Sequence, residues 1–238
     1  MHQYYIILLV ILSCISAQAQ DSLYARKVIN ILCSKQFAWR GYIKNGLDIS
    51  AKYIVGELKK FKTQPLFNTG YYQWFDFNVN TFPGKMNVAV NGKPLKPGID
   101  FIVSPESSGL KGKFNVEKKD SITYIGKNLE TPLVLSLKRK LTFSVSTEAA
   151  NYCAIELLNN NNTYNDIKTI EVSVENKLLN KYICKNICAY INGKDENNDT
   201  VIMLTAHYDH LGMMGSKTYF PGANDNASGV SMLLNLIK

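Results

Sequence analysis

The sequence of 238 residues has only three histidines, no C-x-x-C pair and no apolar run long enough to cross a bilayer. The missing C-x-x-C pair argues against a thiolate zinc site. Because 19 acidic residues lie among the 27 basic ones, the net charge of +8 forms no compact basic stripe, and nucleic-acid binding is not expected. The length and the 46% hydrophobic content suit one large domain, or one and a half smaller ones.

Residues 1–19 have the pattern of a signal peptide. An apolar core from Ile6 to Leu12 is too short to span a bilayer, and the small residues Ala17 and Ala19 suit cleavage after Ala19. Cys14 stands in a poor lipid-attachment sequence, so cleavage is favoured over lipidation. The sequence therefore predicts a secreted or periplasmic protein with no stable membrane insertion after cleavage.

The cysteines of the mature chain are even in number, which permits two disulfides with three connectivities in an oxidising compartment; they are Cys33, Cys153, Cys184 and Cys188. Cys184 and Cys188 lie in a β-rich run, where positions i and i+4 are too far apart to bridge. Buried free thiols, or one long-range bridge, are the favoured interpretation.

Periodic apolar residues predict two N-terminal helices, over Leu23–Ser34 and Ile49–Phe61, with Asp21 or Ser22 as the N-cap of the first. Short β-like runs follow, including a hairpin through Asn91-Gly92. The other predicted strands are residues 99–104, 121–125, 132–137, 141–146, 169–175 and 182–191.

The C-terminal stretch carries the chemistry. Val201–Ala206 is an uncharged apolar run that predicts a strand buried on both faces, and His207 follows where this strand ends. In open α/β sheets ligands bind beyond the carboxyl ends of the strands. Side chains alternate along a strand, so Asp209 is expected on the same side as His207, where a carboxylate can orient a metal-binding imidazole.

A second acidic residue, Asp225, lies in the segment G-A-N-D-N-A-S-G, which precedes a helical apolar pattern. Asn226 or Ser228 is the expected cap of that helix, and a carboxylate near a helix N-terminus is held ionised. Its apolar face, predicted to lack a packing partner, is formed by Val230, Leu233, Leu234 and Ile237.

The two segments A-H-Y-D-H-L-G and P-G-A-N-D-N-A-S-G-V resemble the zinc-dependent exopeptidases of peptidase family M28, which include bacterial leucyl aminopeptidase, glutamate carboxypeptidase and the transferrin-receptor ectodomain. The resemblance implies that His207 binds zinc, that Asp209 orients His207, and that Asp225 bridges two zinc ions. It also implies a cis peptide bond between Asp225 and Asn226. In the family a G-R-type turn joins two N-terminal helices; here the order is Arg40-Gly41.

The fold implied by the resemblance is α/β, a mixed-sheet zinc-exopeptidase domain of the phosphorylase/hydrolase-like type, incomplete at the C-terminus and with a β-rich insertion. The expected division is a signal peptide over 1–19, N-terminal helices of the catalytic domain over 20–70, a protease-associated-like β-rich insertion over 71–158, and the first part of the zinc peptidase domain over 159–238.

The implied function is an exported aminopeptidase, in which a water activated by two zinc ions hydrolyses the N-terminal peptide bond of peptides or proteins. The family's general base and later ligands are absent from this chain, which is therefore expected to be an inactive fragment. Two alternatives remain open: a catalytically inactive recognition homologue, and an acyltransferase like glutaminyl cyclase, using one zinc ion.

Overall fold

The computed structural model describes residues 21–127, 129–160, 163–164, 166–194 and 200–238. The predicted signal peptide, 1–19, lies outside the described residues. No described helix is long and apolar enough to cross a membrane.

Two helices open the described chain, close to where the apolar periodicity predicts them. Helix α1 spans Ser22–Leu32, and Asp21 caps it by accepting a hydrogen bond from the backbone N–H of Tyr24 at 2.9 Å. Helix α2 spans Gly46–Lys60, with two lysines in its last turn. A short 3₁₀ segment, Lys35–Arg40, joins them.

Fourteen strands are present among the described residues, and their bounds are as follows: β1 Gln64–Pro65, β2 Tyr72–Thr81, β3 Met86–Val90, β4 Lys93–Leu95, β5 Phe101–Val103, β6 Leu110–Lys118, β7 Thr123–Gly126, β8 Leu133–Lys138, β9 Cys153–Leu158, β10 Thr169–Val174, β11 Lys177–Ile187, β12 Ala189–Tyr190, β13 Gly212–Met214 and β14 Thr218–Phe220.

Eight of these strands form one sheet in the order β4-β3-β10-β6-β7-β8-β9-β5. Its pairs are antiparallel except for the parallel pair of β8 and β9, so the sheet is mixed and the predicted α/β class is confirmed. The hairpin through Asn91-Gly92 joins β3 to β4 as predicted. The other strands form three two-stranded sheets, β2 with β11, β1 with β12 and β13 with β14.

The eight-stranded sheet does not follow the predicted insertion bounds of 71–158. It begins at Met86 and includes β10, because Thr169–Val174 pairs with β3 on one side and β6 on the other. The division of the chain into domains stays a prediction. The sequence analysis missed β6, whose outward positions are mostly charged, and β9, whose apolar run has no clear alternation.

Two predicted strands are wrong. Residues 141–146 make only a single bridge, between Ser146 and Asn80, because Phe143 packs instead by stacking on Phe220 at a ring distance of 4.9 Å. Val201–Ala206 is not a strand either, since neither of its edges pairs with a strand in the described parts of the chain. The side chains from Val201 to Leu204 are 60–85% exposed rather than buried.

The last helix, α3, spans Ser228–Leu236 and packs against α1. Val230 and Leu234 are buried with Val28 and Leu32 of α1, so the expectation of an unpartnered apolar face is wrong. The four described cysteines are free thiols, as the favoured interpretation has it. Helices α1, α2 and α3 thus form a second core beside that of the sheet.

Candidate metal centre

The segment that follows Leu204 brings the predicted metal residues together. Nε2 of His207 lies 3.0 Å from Oδ1 of Asp225. The other ring nitrogen, Nδ1, lies 3.3 Å from Oδ1 of Asp209. The imidazole therefore has a carboxylate at each nitrogen, in the order that the sequence predicts, with Asp209 on the orienting side.

A hairpin turns the chain back between His207 and Asp225. Strands β13 and β14 pair through Gly212 with Phe220 and Met214 with Thr218. The side chain of Met214 is fully buried in the core of the eight-stranded sheet. Because this hairpin packs on the sheet, the chain turns back and Asp225 lies next to His207.

The loop that carries Asp225 is a tight turn. Gly222 has a φ of 61°, and a kinked turn, Ala223–Ala227, follows it. Asp225 and Asn226 have non-helical φ and ψ angles in this turn, and the expected cis peptide bond joins them. A Cβ atom on Gly222 would lie 2.3 Å from a ring carbon of His210 and 2.5 Å from the Arg40 guanidinium, so only glycine fits. The side-chain oxygen of Asn226 accepts from the backbone N–H of Gly229 at 3.0 Å, which caps α3 as predicted.

The side chain of Arg40 is fully buried and supports this loop through hydrogen bonds. Its guanidinium donates to the carbonyl oxygens of Pro221 at 3.0 Å, Gly222 at 2.7 Å and Asp225 at 3.2 Å. A fourth bond, of 3.1 Å, reaches the carbonyl of Leu32 at the end of α1. The Arg40 side chain thereby ties the loop backbone, from Pro221 to Asp225, to the end of α1.

The backbone around Arg40 is in an unusual conformation. Ala38, Trp39 and Arg40 have φ angles of 42°, 49° and 59°, in the left-handed region that non-glycine residues seldom adopt. The Trp39 ring stacks on Tyr219 at 4.3 Å, and the Arg40 carbonyl accepts from the N–H of His210 at 3.0 Å. These contacts hold a turn that directs the Arg40 guanidinium toward the loop that carries Asp225.

Tyr42 contacts the Asp209 side of the site. Its hydroxyl donates to Oδ2 of Asp209 at 2.7 Å, while its ring packs edge-on against Phe77 and Tyr182. Burial, and then the Asp209 carboxylate, raise the pKa of the Tyr42 phenol well above its ordinary value. The phenol is therefore protonated and acts as the donor.

His210 is adjacent to the pair without joining it. Its Nδ1 lies 3.9 Å from Oδ2 of Asp225, beyond hydrogen-bond distance. Burial, and then the charge of Arg40, lower the pKa of His210, so the ring is neutral at pH 7. These contacts favour a structural role for His210.

The donor set fits part of a zinc site. Zinc takes imidazole nitrogen and carboxylate oxygen at about 2.1 Å, so two neighbouring ligand atoms of a tetrahedral site lie about 3.4 Å apart. The 3.0 Å between His207 and Asp225 is close to that spacing. In the described ranges, no three or more His, Cys, Asp or Glu side chains are grouped to hold a metal. The pair is thus compatible with two corners of a zinc site.

The sequence alone does not identify the two residues that support the site, Arg40 and Tyr42. Arg40 was noted only as part of a turn that resembles the family's, and no sequence pattern points to Tyr42. Both lie far along the chain from His207, and only the folded chain shows which carbonyl or carboxylate each one contacts. Nearby, the Tyr208 hydroxyl donates to the Lys185 carbonyl at 2.7 Å. The Asn224 carbonyl oxygen and the Asn226 side-chain oxygen accept hydrogen bonds within the loop.

Comparison with known proteins supports the resemblance. Residues 186–238 match the model of peptidase family M28. No curated protein sequence matches the chain significantly.

Two of the solved structures that share the fold are aminopeptidases. An aminopeptidase from Aneurinibacillus sp. strain AM-1 is 15% identical, with a TM-score of 0.53 over 92% of this chain and 58% of its own. BSAP, a zinc aminopeptidase from Bacillus subtilis, is 16% identical, with a TM-score of 0.55 over 90% of this chain and 56% of its own. The chain therefore spans a little over half the length of these structures.

Proposed function

We propose, from the M28 family assignment of residues 186–238, that this chain supplies part of the metal site of a zinc-dependent aminopeptidase. The observation that carries the proposal is the imidazole of His207 between two carboxylates, with Asp225 at Nε2 and Asp209 at Nδ1. The two solved structures named above are aminopeptidases, and BSAP is a zinc aminopeptidase.

Each of the three residues has a separate task in this proposal. Asp209 accepts a hydrogen bond from the Nδ1–H of His207, which leaves the Nε2 lone pair free for a metal. Asp225 is 71% exposed and offers two carboxylate oxygens, so we propose that it bridges two zinc ions. The chemistry that zinc supplies when bound is Lewis acidity, which lowers the pKa of water and polarises a carbonyl group.

The substrates would be peptides or proteins with a free N-terminus. This substrate class is supported by the two solved structures named above, both of which are aminopeptidases. The remaining ligands and the general base of the complete site are not supplied by the donors described above. We propose also that the protein works outside the cytoplasm, after removal of residues 1–19.

The test compares zinc binding and peptidase activity in the full-length protein and its variants. We expect His207→Ala and Asp225→Asn to weaken zinc binding by at least about 100-fold, because loss of a ligand costs more than loss of an outer partner. Hydrolysis of an aminoacyl-p-nitroanilide should fall with it, and Asp166→Asn, at an exposed position of the sheet region, is the matched control. The native protein should begin at Gln20 by N-terminal sequencing.

Three results would contradict the proposal in different ways. Unchanged zinc affinity in His207→Ala would remove the metal site itself. Zinc binding without hydrolysis of any N-terminal substrate, by a protein that also carries the general base and the later ligands, would favour a recognition homologue. Cyclisation of peptides with N-terminal glutamine, without hydrolysis, would favour the acyltransferase.

A further inference from the structure

Tyr42 stands where three parts of the molecule meet. It follows the 3₁₀ segment and precedes α2, and its ring lies against Phe77 of β2 and Tyr182 of β11. Those two residues are direct partners across the β2–β11 pair. The aromatic contacts therefore fix the ring of Tyr42 on a paired strand surface, and the hydroxyl points from there to Asp209.

The two oxygens of the Asp209 carboxylate have different partners. Oδ2 accepts from the Tyr42 hydroxyl at 2.7 Å, and Oδ1 lies 3.3 Å from Nδ1 of His207. Because the two oxygens are coplanar, a strong bond at one of them fixes the plane in which the other meets the imidazole. The Asp209 side chain is 40% exposed, so burial alone does not hold it in that plane.

We propose that Tyr42 is a positioning residue for the metal ligand His207 and acts through Asp209. This inference rests on the proposed zinc site and adds the element that holds its orienting carboxylate. The hydroxyl keeps Asp209 turned toward Nδ1, and this in turn keeps Nε2 directed at Asp225. The geometry of the ligand thereby depends on a residue from the N-terminal part of the chain.

The decisive variant is Tyr42→Phe, which removes the hydroxyl and leaves the ring packing against Phe77 and Tyr182. The matched control is Tyr24→Phe, because the Tyr24 hydroxyl also donates to a carboxylate, Glu57, at 2.8 Å. Glu57 is not among the residues of the proposed site. A difference between the two variants would report on the position of Tyr42 rather than on loss of a phenol.

Zinc affinity is measured on the full chain by competition with a chelating dye, and the geometry is followed by the visible absorption of bound cobalt(II). We expect Tyr42→Phe to weaken zinc binding about tenfold, as loss of an outer partner does, and to alter the cobalt spectrum. Tyr24→Phe should leave both at the wild-type value. Urea unfolding of each variant separates this effect from a general loss of stability.

A double-mutant cycle tests whether Tyr42 acts through Asp209. In the Asp209→Ala background, Tyr42→Phe should cause no further loss of zinc affinity, because the carboxylate that it orients is gone. Additive losses would show that Tyr42 supports the fold independently of the ligand, and would overturn the inference.

The controls also separate this inference from the proposal on which it rests. Wild-type affinity in Tyr42→Phe, together with lost affinity in His207→Ala, would overturn the role of Tyr42 alone. Wild-type affinity in both variants would overturn the zinc site, and the role of Tyr42 with it.

Discussion

The eight-stranded sheet and the candidate metal centre are held in place by different forces. In the sheet, the inward side chains of Leu135, Ile155 and Leu157 are completely buried, so apolar burial fixes the strands. At the candidate metal centre, the apolar run from Val201 to Leu204 is exposed. Hydrogen bonds hold the residues that follow this run, since Arg40 donates to backbone carbonyls of the Asp225 loop and Tyr42 donates to Asp209. Stability and site geometry should therefore respond to different substitutions.

The largest effect on stability is expected in the sheet. Leu135→Ala should lower the free energy of unfolding by about 3 kcal/mol, because it leaves a cavity at a fully buried position. Urea denaturation measures the loss, and zinc affinity should not change. Val134→Ala, on the less buried face of β8, is the control and should cost about 1 kcal/mol or less. A tenfold weaker zinc site in Leu135→Ala would show that the two regions are not independent.

An intermediate effect is expected at Arg40, which ties the Asp225 loop to the end of α1. Arg40→Lys keeps the charge but loses the planar fork that reaches the carbonyls of Pro221, Gly222 and Asp225. We expect a loss of about 2 kcal/mol in the free energy of unfolding and about tenfold in zinc affinity. Unfolding curves and zinc titrations check both.

Arg26→Lys, at an exposed position of α1, is the matched control and should change neither quantity. If Arg40→Lys lowered stability while zinc affinity stayed at the wild-type value, the hydrogen bonds of Arg40 would stabilise the fold without shaping the loop that carries Asp225.

The smallest effect is expected in the exposed run. Ile202→Asn should change the free energy of unfolding by less than about 0.5 kcal/mol, because Ile202 is 85% exposed. Thr205→Asn, at an exposed polar position of the same segment, is the control. A loss above about 2 kcal/mol in urea denaturation of Ile202→Asn alone would mean that this run is covered in the folded protein.

The parts of the structure that the sequence predicts are those with local causes. Asp21 caps α1, Asn91-Gly92 turns β3 into β4, and Asn226 caps α3, each within a few residues of the element that it shapes. His207 and Asp225 were predicted as a pair because two spaced motifs resemble one family. Their predicted metal role awaits measurement.

The parts that could not be predicted depend on distant partners. Val201–Ala206 has the composition of a buried strand, but a strand also needs neighbours, and composition does not show whether they are present. Residues 141–146 alternate as a strand does, yet Phe143 packs on Phe220 instead of continuing a ladder. Arg40 and Tyr42 act on groups more than a hundred residues away, which no local pattern encodes.

The close contact of Gly41 with Gly212 bears on the order in which the protein folds. A Cβ atom on Gly41 would lie 2.5 Å from the Cα of Gly212, so the two backbones touch without side chains between them. All strands of the large sheet lie between these glycines in the chain, and closing so long a loop costs more entropy than forming hairpins. Pairing of β2 with β11 shortens the open part of this loop, because the large sheet lies between these two strands in the chain. We therefore expect the candidate metal centre to assemble late, after the strands that separate its halves have folded.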